Sequence, residues 1–204
     1  MTYEYTVKHF INNEFVDSIN GKTFETLNPA NNKPLGVVSD GLPEDVDRAV
    51  KAARKAFDSG VWSKMNAEAR SKKIRKIADL IEKYADEIAD REIADCGVPS
   101  KQLRGGVIPR AAYNFNYFAD MTYRVTGESY PVEGSFINYS IRRPVGVAGL
   151  ITPWNVPFML ETWKVAPCLA FGNTCILKPA EWSPLSADKL AYIIQEADLP
   201  PGVF

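Results

Sequence analysis

The chain has 204 residues, 46% hydrophobic and 24% charged, with a formal net charge of -1. That is enough apolar material for a real core, and the balanced charge excludes the basic excess that a nucleic-acid partner calls for. No apolar run reaches the ~18 residues of a membrane span; the longest, 145–169, is bounded or broken by Pro144, Pro153, Pro157 and Pro167 and carries Glu161 and Lys164. The start, Met-Thr-Tyr-Glu-Tyr, lacks the pattern of a secretory leader, so a cytoplasmic protein is expected. The three cysteines, Cys96, Cys168 and Cys175, contain no Cys-x-x-Cys pair, and His9 is the only histidine. Neither a disulfide framework nor a metal site follows from such a set. His9 reads as a half-exposed strand residue.

Taken in chain order, residues 7–41 read as short strands. Residues 10–16 place Asn12-Asn13 between apolar residues, a hairpin pattern. Residues 24–27 and 35–38 look like further strands, with turns at Asn28-Pro29 and Asn31-Asn32. Helices follow. In 43–59 the apolar positions Val46, Ala49, Val50, Ala53 and Phe57 have the helical period. Glu44 and Asp45 suit its first turn and Gly60 its end. Asn66 is a cap for a second helix, with Ile74, Ile77, Leu80, Ile81, Tyr84 and Ile88 on one face, ending by Gly97. A third helix is expected over 103–124, where Tyr113, Phe115, Tyr117, Phe118 and Tyr123 read as core rather than as a ligand box. After Gly127, residues 136–143 alternate like a strand, which points to a projecting two-stranded flap.

From Val145 the texture changes. Residues 145–151 are nearly all apolar, as in a strand buried on both faces. A helix over 157–171, a second buried strand at 174–177, and a helix opened by Ser183-Pro184 follow. Val203-Phe204 would begin a third strand. Parallel strands joined by helices make a dinucleotide-binding half-unit, and stopping on an apolar strand implies a truncated domain with an unpaired edge.

The chemistry concentrates in Ile151-Thr-Pro-Trp-Asn155, followed by Trp163-Lys-Val-Ala-Pro167, Gly172-Asn-Thr174, Lys178-Pro-Ala-Glu181 and Ser183-Pro184. Together with Leu27-Asn-Pro29, Arg143-Pro-Val-Gly146 and Leu199-Pro-Pro-Gly-Val203, these motifs resemble the aldehyde dehydrogenase superfamily over essentially the whole chain, and in order. The resemblance implies an α/β fold: the amino-terminal half of a Rossmann-variant domain, with 1–125 as hairpins plus helices, 126–144 as a β-hairpin oligomerisation flap, and 145–204 as the first β-α-β-α unit. It implies NAD as cofactor, an aldehyde as substrate, and a homo-oligomer, dimer or tetramer, for the full-length enzyme.

The resemblance also implies roles by position. Asn155 would donate its amide to the oxyanion of a thiohemiacetal; without the resemblance it reads as a turn residue satisfying backbone groups. Ile151, Thr152, Pro153 and Trp154 would line the cofactor cleft. Lys178 and Glu181, with Ala180 between them, would hold the adenosine ribose, and a carboxylate there favours NAD over NADP. Otherwise the two are an exposed surface pair. Val156, Leu160 and Trp163 match the substrate tunnel, and Arg110 and Asn114 could face its mouth, where an arginine would pair with an acidic substrate. The texture of 155–163 is most similar to the muconic-semialdehyde branch. The family's nucleophilic cysteine and general-base glutamate would lie beyond Phe204. Cys96, Cys168 and Cys175 read instead as small core hydrophobes, so the 204 residues alone would be inactive. A binding or oligomerisation module without catalysis is the alternative.

Overall fold

In the computed structural model, which describes residues 3–204, the amino-terminal segment is built of short strands: β1 Tyr5–Val7, β2 His9–Ile11, β3 Glu14–Val16, β4 Thr23–Asn28 and β5 Lys33–Ser39. The β2–β3 hairpin turns on Asn12 and Asn13, with φ of 55° and 68°. A two-residue hairpin needs left-handed backbone at both positions, and asparagine tolerates it. The sheet order is β1-β5-β4, with β1 parallel and β4 antiparallel to β5. The strand β1 is not among the sequence expectations. Its one local signal is Gly36, where a Cβ would stand 2.9 Å from the Tyr5 carbonyl oxygen, so only glycine lets the two backbones approach.

Helix α1 spans Pro43–Ser59 and stops at left-handed Gly60. Asp45 does more than favour the helix dipole: buried at 2% exposure, it accepts from Leu42 N, Ser18 Oγ and Ile19 N. His9 is half-buried, with Nε2 4.0 Å from Asp45 Oδ2. Asn66 caps the next helix as expected, its Oδ1 accepting from Ala69 N at 2.8 Å. The expected single helix over 66–97 is two, α2 Ala67–Lys83 and α3 Ala85–Cys96, broken at Tyr84 with φ -100° and ψ 19°. The apolar phase survives the break, since Ile74, Ile77, Ile81 and Ile88 are all fully buried. What phase could not reveal is that Tyr84 is tied to a distant element: its hydroxyl donates to Glu196 and its ring lies under Lys189 Nζ at 3.7 Å.

The third helical stretch starts earlier than expected. A single turn, α4 (Ser100–Gln102), runs through a π-turn at Leu103–Val107 into α5 (Ile108–Met121) and a closing 3-10 turn at Thr122–Arg124. Of its aromatic cluster, Phe115 is fully buried and Phe118 half-buried, whereas Tyr113, Tyr117 and Tyr123 are exposed; the core reading holds for the two phenylalanines only. In the flap, β6 Ser129–Tyr130 pairs antiparallel with β7 Asn138–Tyr139. Strand β7 is far shorter than the strand expected over 136–143, and the hairpin buries no face: Phe136, Ile137 and Ile141 are 67%, 80% and 59% exposed.

The last third is β8 Val147–Ile151, α6 Pro157–Ala170, β9 Thr174–Lys178 and α7 Leu185–Glu196. Strands β8 and β9 are parallel and in register from Val147↔Thr174 to Ile151↔Lys178. The expectation of burial on both faces fails for β8, where Ile151 is 68% exposed and Val145, just before the strand, 95%. A strand is covered only by what lies beside it, and among the described residues β8 pairs on one edge alone, with β9. Val203 contributes one ladder-like bond, its carbonyl accepting from Cys175 N at 3.0 Å, without forming a strand. One core joins α2, α5, α6 and α7 and holds Ile77, Phe115, Phe158, Leu169 and Leu190.

Helices α6 and α7 are capped from elsewhere. Ser183 does not cap α7; its hydroxyl is buried with no hydrogen-bond partner. Asp95 of α3 performs that role, Oδ2 accepting from Leu185 N at 2.9 Å and Oδ1 from Thr26 Oγ1 at 2.7 Å. One turn earlier, Glu92 Oε1 accepts from Phe158 N at 3.0 Å and so caps α6. Short-range reading could not find these partners, 66 and 90 residues away in sequence.

Candidate active site

The register of β8 and β9 decides where the motif residues meet. Because Ile151 pairs with Lys178, the turns that follow the two strands leave the same end of the sheet side by side. The ladder continues one step, Thr152 N donating to the Lys178 carbonyl at 3.2 Å. This is the carboxyl end of adjacent parallel strands, where open α/β sheets bind ligands. Lys164, on the second turn of α6, folds back to donate to the Ile151 carbonyl at 2.6 Å. It braces the strand end, a role with no short-range signature.

Asn155 stands in the turn between β8 and α6, exposed, and no protein group bonds its side chain among the described residues. The amide is therefore free to donate, and the turn-satisfying alternative has no bond to support it. Around it Pro153 is exposed, Trp154 is 63% exposed, and Thr152 is buried with Oγ1 unpartnered. On the neighbouring turn, Lys178 Nζ lies 3.6 Å from Glu181 Oε2, both side chains mostly exposed, with Ala180 half-buried between them. The Glu181 carboxyl is held below its ordinary range, first by its own backbone N–H and then by the charge of Lys178. At neutral pH the turn thus presents one cation and one anion to solvent, next to exposed Trp182.

Val156, Leu160 and Trp163 follow Asn155 at spacings of four and three, which puts them on one face of α6. Val156 and Leu160 are half-buried and Trp163 is 47% exposed. Arg110 and Asn114 do not act as a pair. Asn114 is 5% exposed and donates Nδ2 to Thr162 Oγ1 at 3.2 Å, against α6. Arg110 is exposed and stacks over the Tyr113 ring at 5.0 Å. Four residues turn a helix about 40° past a full turn, enough to divide the two between interface and solvent.

Behind the site lies a carboxylate cluster that the motifs did not announce. Glu161 of α6 is wholly buried, with Oε1 accepting from Ser186 Oγ at 3.4 Å. Burial, and then the charge of Glu92, push its carboxyl well up. Burial raises Glu92 to about 7 and Asp95 to about 6, against the hydrogen bonds that pull them down. The signal in sequence was faint: acids at 92 and 95 on the apolar side of α3, and one at 161 in an apolar helix.

The sequence profile of the aldehyde dehydrogenase family matches residues 15–204. The chain belongs to that family. It is 43% identical, over 97% of its own length, to the 5-carboxymethyl-2-hydroxymuconate semialdehyde dehydrogenase of Escherichia coli, and covers 41% of that protein. The structure of HpcC from Thermus thermophilus superposes with a TM-score of 0.95 at 49% identity, over 99% of this chain and 39% of the other. The NAD+ complex of the aldehyde dehydrogenase from Bacillus cereus gives 0.95 at 44% identity, over 98% of this chain and 40% of the other. This aldehyde dehydrogenase chain therefore spans about two fifths of the length of its relatives. No helix among the described residues is long and apolar enough to cross a membrane.

Proposed function

We propose that this chain supplies the oxyanion donor and the adenosine-ribose contacts of an NAD-dependent aldehyde dehydrogenase. The observation that carries the reading is the juxtaposition of Asn155 and the Lys178–Glu181 pair at one end of two parallel strands in register. The turns fit the cofactor chemically: Lys178 can donate to ribose hydroxyls, ionised Glu181 can accept from them, and a 2′-phosphate would meet its negative charge. Ile151, Thr152, Pro153 and Trp154 would flank the cofactor, which supplies the hydride acceptor when bound. Asn155 would donate its amide to the oxygen of the aldehyde as negative charge develops there, an interaction typically worth about 3 kcal/mol of barrier. Val156, Leu160 and Trp163 would form the apolar wall.

None of the three cysteines fits the nucleophile. Cys175 is 1% exposed. Cys168 lies eleven residues after Pro157, roughly 16 Å along α6 from its start beside Asn155. Burial, with the charges of Asp95 and Glu92, pushes the Cys96 thiol far up. The chain by itself would bind NAD without oxidising aldehydes.

For the substrate we favour an acidic semialdehyde. The name of the Escherichia coli relative and the sequence of 155–163 support this, as does Arg110, which has no ion-pair partner among the described residues. Exposed Phe136, Ile137 and Ile141 on the flap support a homo-oligomer. Three unpaired thiols support the cytoplasm.

Tryptophan fluorescence on titration with NAD tests the reading. Saturable quenching by NAD, weaker with NADP, is expected, and Glu181→Ala or Lys178→Ala should weaken NAD binding roughly tenfold, as loss of a charge-assisted hydrogen bond does. Formation of NADH from an aldehyde by the purified 204-residue protein would overturn the division of labour. Equal affinity for NAD in all three proteins would overturn the site.

A further inference from the structure

Residues 153–155 make no hydrogen bond to the rest of the chain among the described residues. Asn155 therefore keeps its place through the backbone on either side of it. On the strand side, Thr152 N donates to the Lys178 carbonyl at 3.2 Å, and Lys164 Nζ to the Ile151 carbonyl at 2.6 Å. On the helix side the local chain offers no cap. Val156 occupies the cap position with an apolar side chain, and Pro157, the first residue of α6, has no N–H. The first N–H of α6 is that of Phe158, three residues after Asn155, and it donates to Glu92 Oε1 at 3.0 Å. Phe158 and Glu92 are 0% and 1% exposed, so water does not compete for the bond.

Capping alone does not ask for a buried acid from another helix. A serine or aspartate at position 156 would satisfy the same amide from within the turn. A carboxyl reaching across from α3 instead ties the turn to the body of the protein. Its own helix is anchored one turn on, where Asp95 holds Leu185 N and Thr26 Oγ1. We propose that Glu92 is a positioning residue for Asn155, fixing the helix side of its turn as Thr152 and Lys164 fix the strand side. This rests on the reading of Asn155 as the oxyanion donor. Glu92 touches no substrate and acts through Phe158 N and the three residues of backbone before it. An oxyanion donor must stand about 3 Å from the oxygen it serves, and a displacement of about 1 Å costs about 100-fold in rate.

Glu92 also makes the brace sensitive to pH. Burial raises its carboxyl to about 7 against the pull of the Phe158 bond, and Asp95 adds to the rise. The titratable groups around it are Asp95 and Cys96 on α3 and Glu161 on α6. From α7, Leu185 N and Ser186 Oγ meet this corner, bonded to Asp95 and Glu161. The nearby cations are engaged elsewhere: Arg91 by Asp188, Lys189 by Glu87, and Arg104 by Asp86 and Asp90. An ionised acceptor makes the stronger hydrogen bond, so the hold on Phe158 N tightens as pH rises through 7, even as the buried charge lowers the stability of the fold.

The test labels asparagine and phenylalanine of the 204-residue protein with heavy nitrogen and follows the NMR spectrum from about pH 5 to about pH 9. The Phe158 amide proton should move downfield with a midpoint near 7, and the Asn155 side-chain amide should follow with the same midpoint. Glu92→Gln keeps an acceptor for Phe158 N, so the fold should be retained while both titrations vanish. In Glu92→Ala the Phe158 amide should exchange with deuterium about tenfold faster, and the Asn155 resonance should shift. Asp95→Asn, on the same helix but at the start of α7, should keep both titrations. An Asn155 resonance that ignores pH in the wild type, that still titrates in Glu92→Gln, or that is unchanged in Glu92→Ala would overturn the positioning role. Titration of the same samples with NAD separates the two readings: both pH titrations in a protein that does not bind NAD uphold the brace and sink the nucleotide site.

Discussion

The apolar residues of the helical layer of α2, α5 and α6 and those of the parallel strand β8 are buried to opposite degrees. Ile74, Ile77, Phe115 and Phe158 have no exposed surface, while Ile151 at the end of β8 is 68% exposed. A helix offers a whole stripe to whatever it packs on, and three helices can cover one another. A strand has two edges and two faces, and each must be covered by a different neighbour. Apolarity in a strand therefore states what the strand needs and not what it has. At the carboxyl end of β8 the uncovered part is also where the proposed site lies.

The largest expected effect tests the helical side. Phe115→Ala should cost about 3–5 kcal/mol in urea unfolding, as for a fully buried aromatic, while Ile151→Ala should change stability by less than about 0.5 kcal/mol. Equal losses at the two positions would erase the contrast. Next comes pH. Glu92 is raised to about 7 in the fold from an ordinary value of 4.5, so the stability linked to its proton is complete below 4.5 and is lost as pH rises through 7. Unfolding free energy should fall between pH 5 and pH 8 by up to about 3 kcal/mol, with Asp95, raised to about 6, adding in the same direction. Glu92→Gln should flatten that slope, and a variant with the wild-type slope would remove Glu92 as its source. Smaller again, Asp95→Ala should cost about 1–2 kcal/mol by uncapping α7, whereas Ser183→Ala should be near neutral in the same assay. At the sheet end, Lys178→Ala should cost under about 1 kcal/mol of stability, an exposed pair holding little of the fold, while it weakens NAD binding.

Features carried by local chemistry were legible before the structure: the Asn12-Asn13 hairpin, the Asn66 cap, the extent of α1 and the order of the last β-α-β-α elements. The motif residues of the two turns were legible too, and the register of β8 and β9 brings them to one edge. What escaped was set by partners far away in sequence. The strand β1 needs β5, the break at Tyr84 needs α7, and the caps of α6 and α7 come from α3. Arg110 and Asn114 were separated by a small angle that spacing alone does not weigh.

The two caps on α3 bear on how the protein assembles. Glu92 and Asp95 stand one turn apart on a single helix and hold the first turns of the two helices that flank β9. Those turns are completed only when a segment synthesised 66 and 90 residues earlier is already helical and docked. Closing such long loops is entropically costly and slows a search that local contacts would make fast. The βαβ unit, which looks self-sufficient as a supersecondary motif, thus depends for its final shape on a helix outside it.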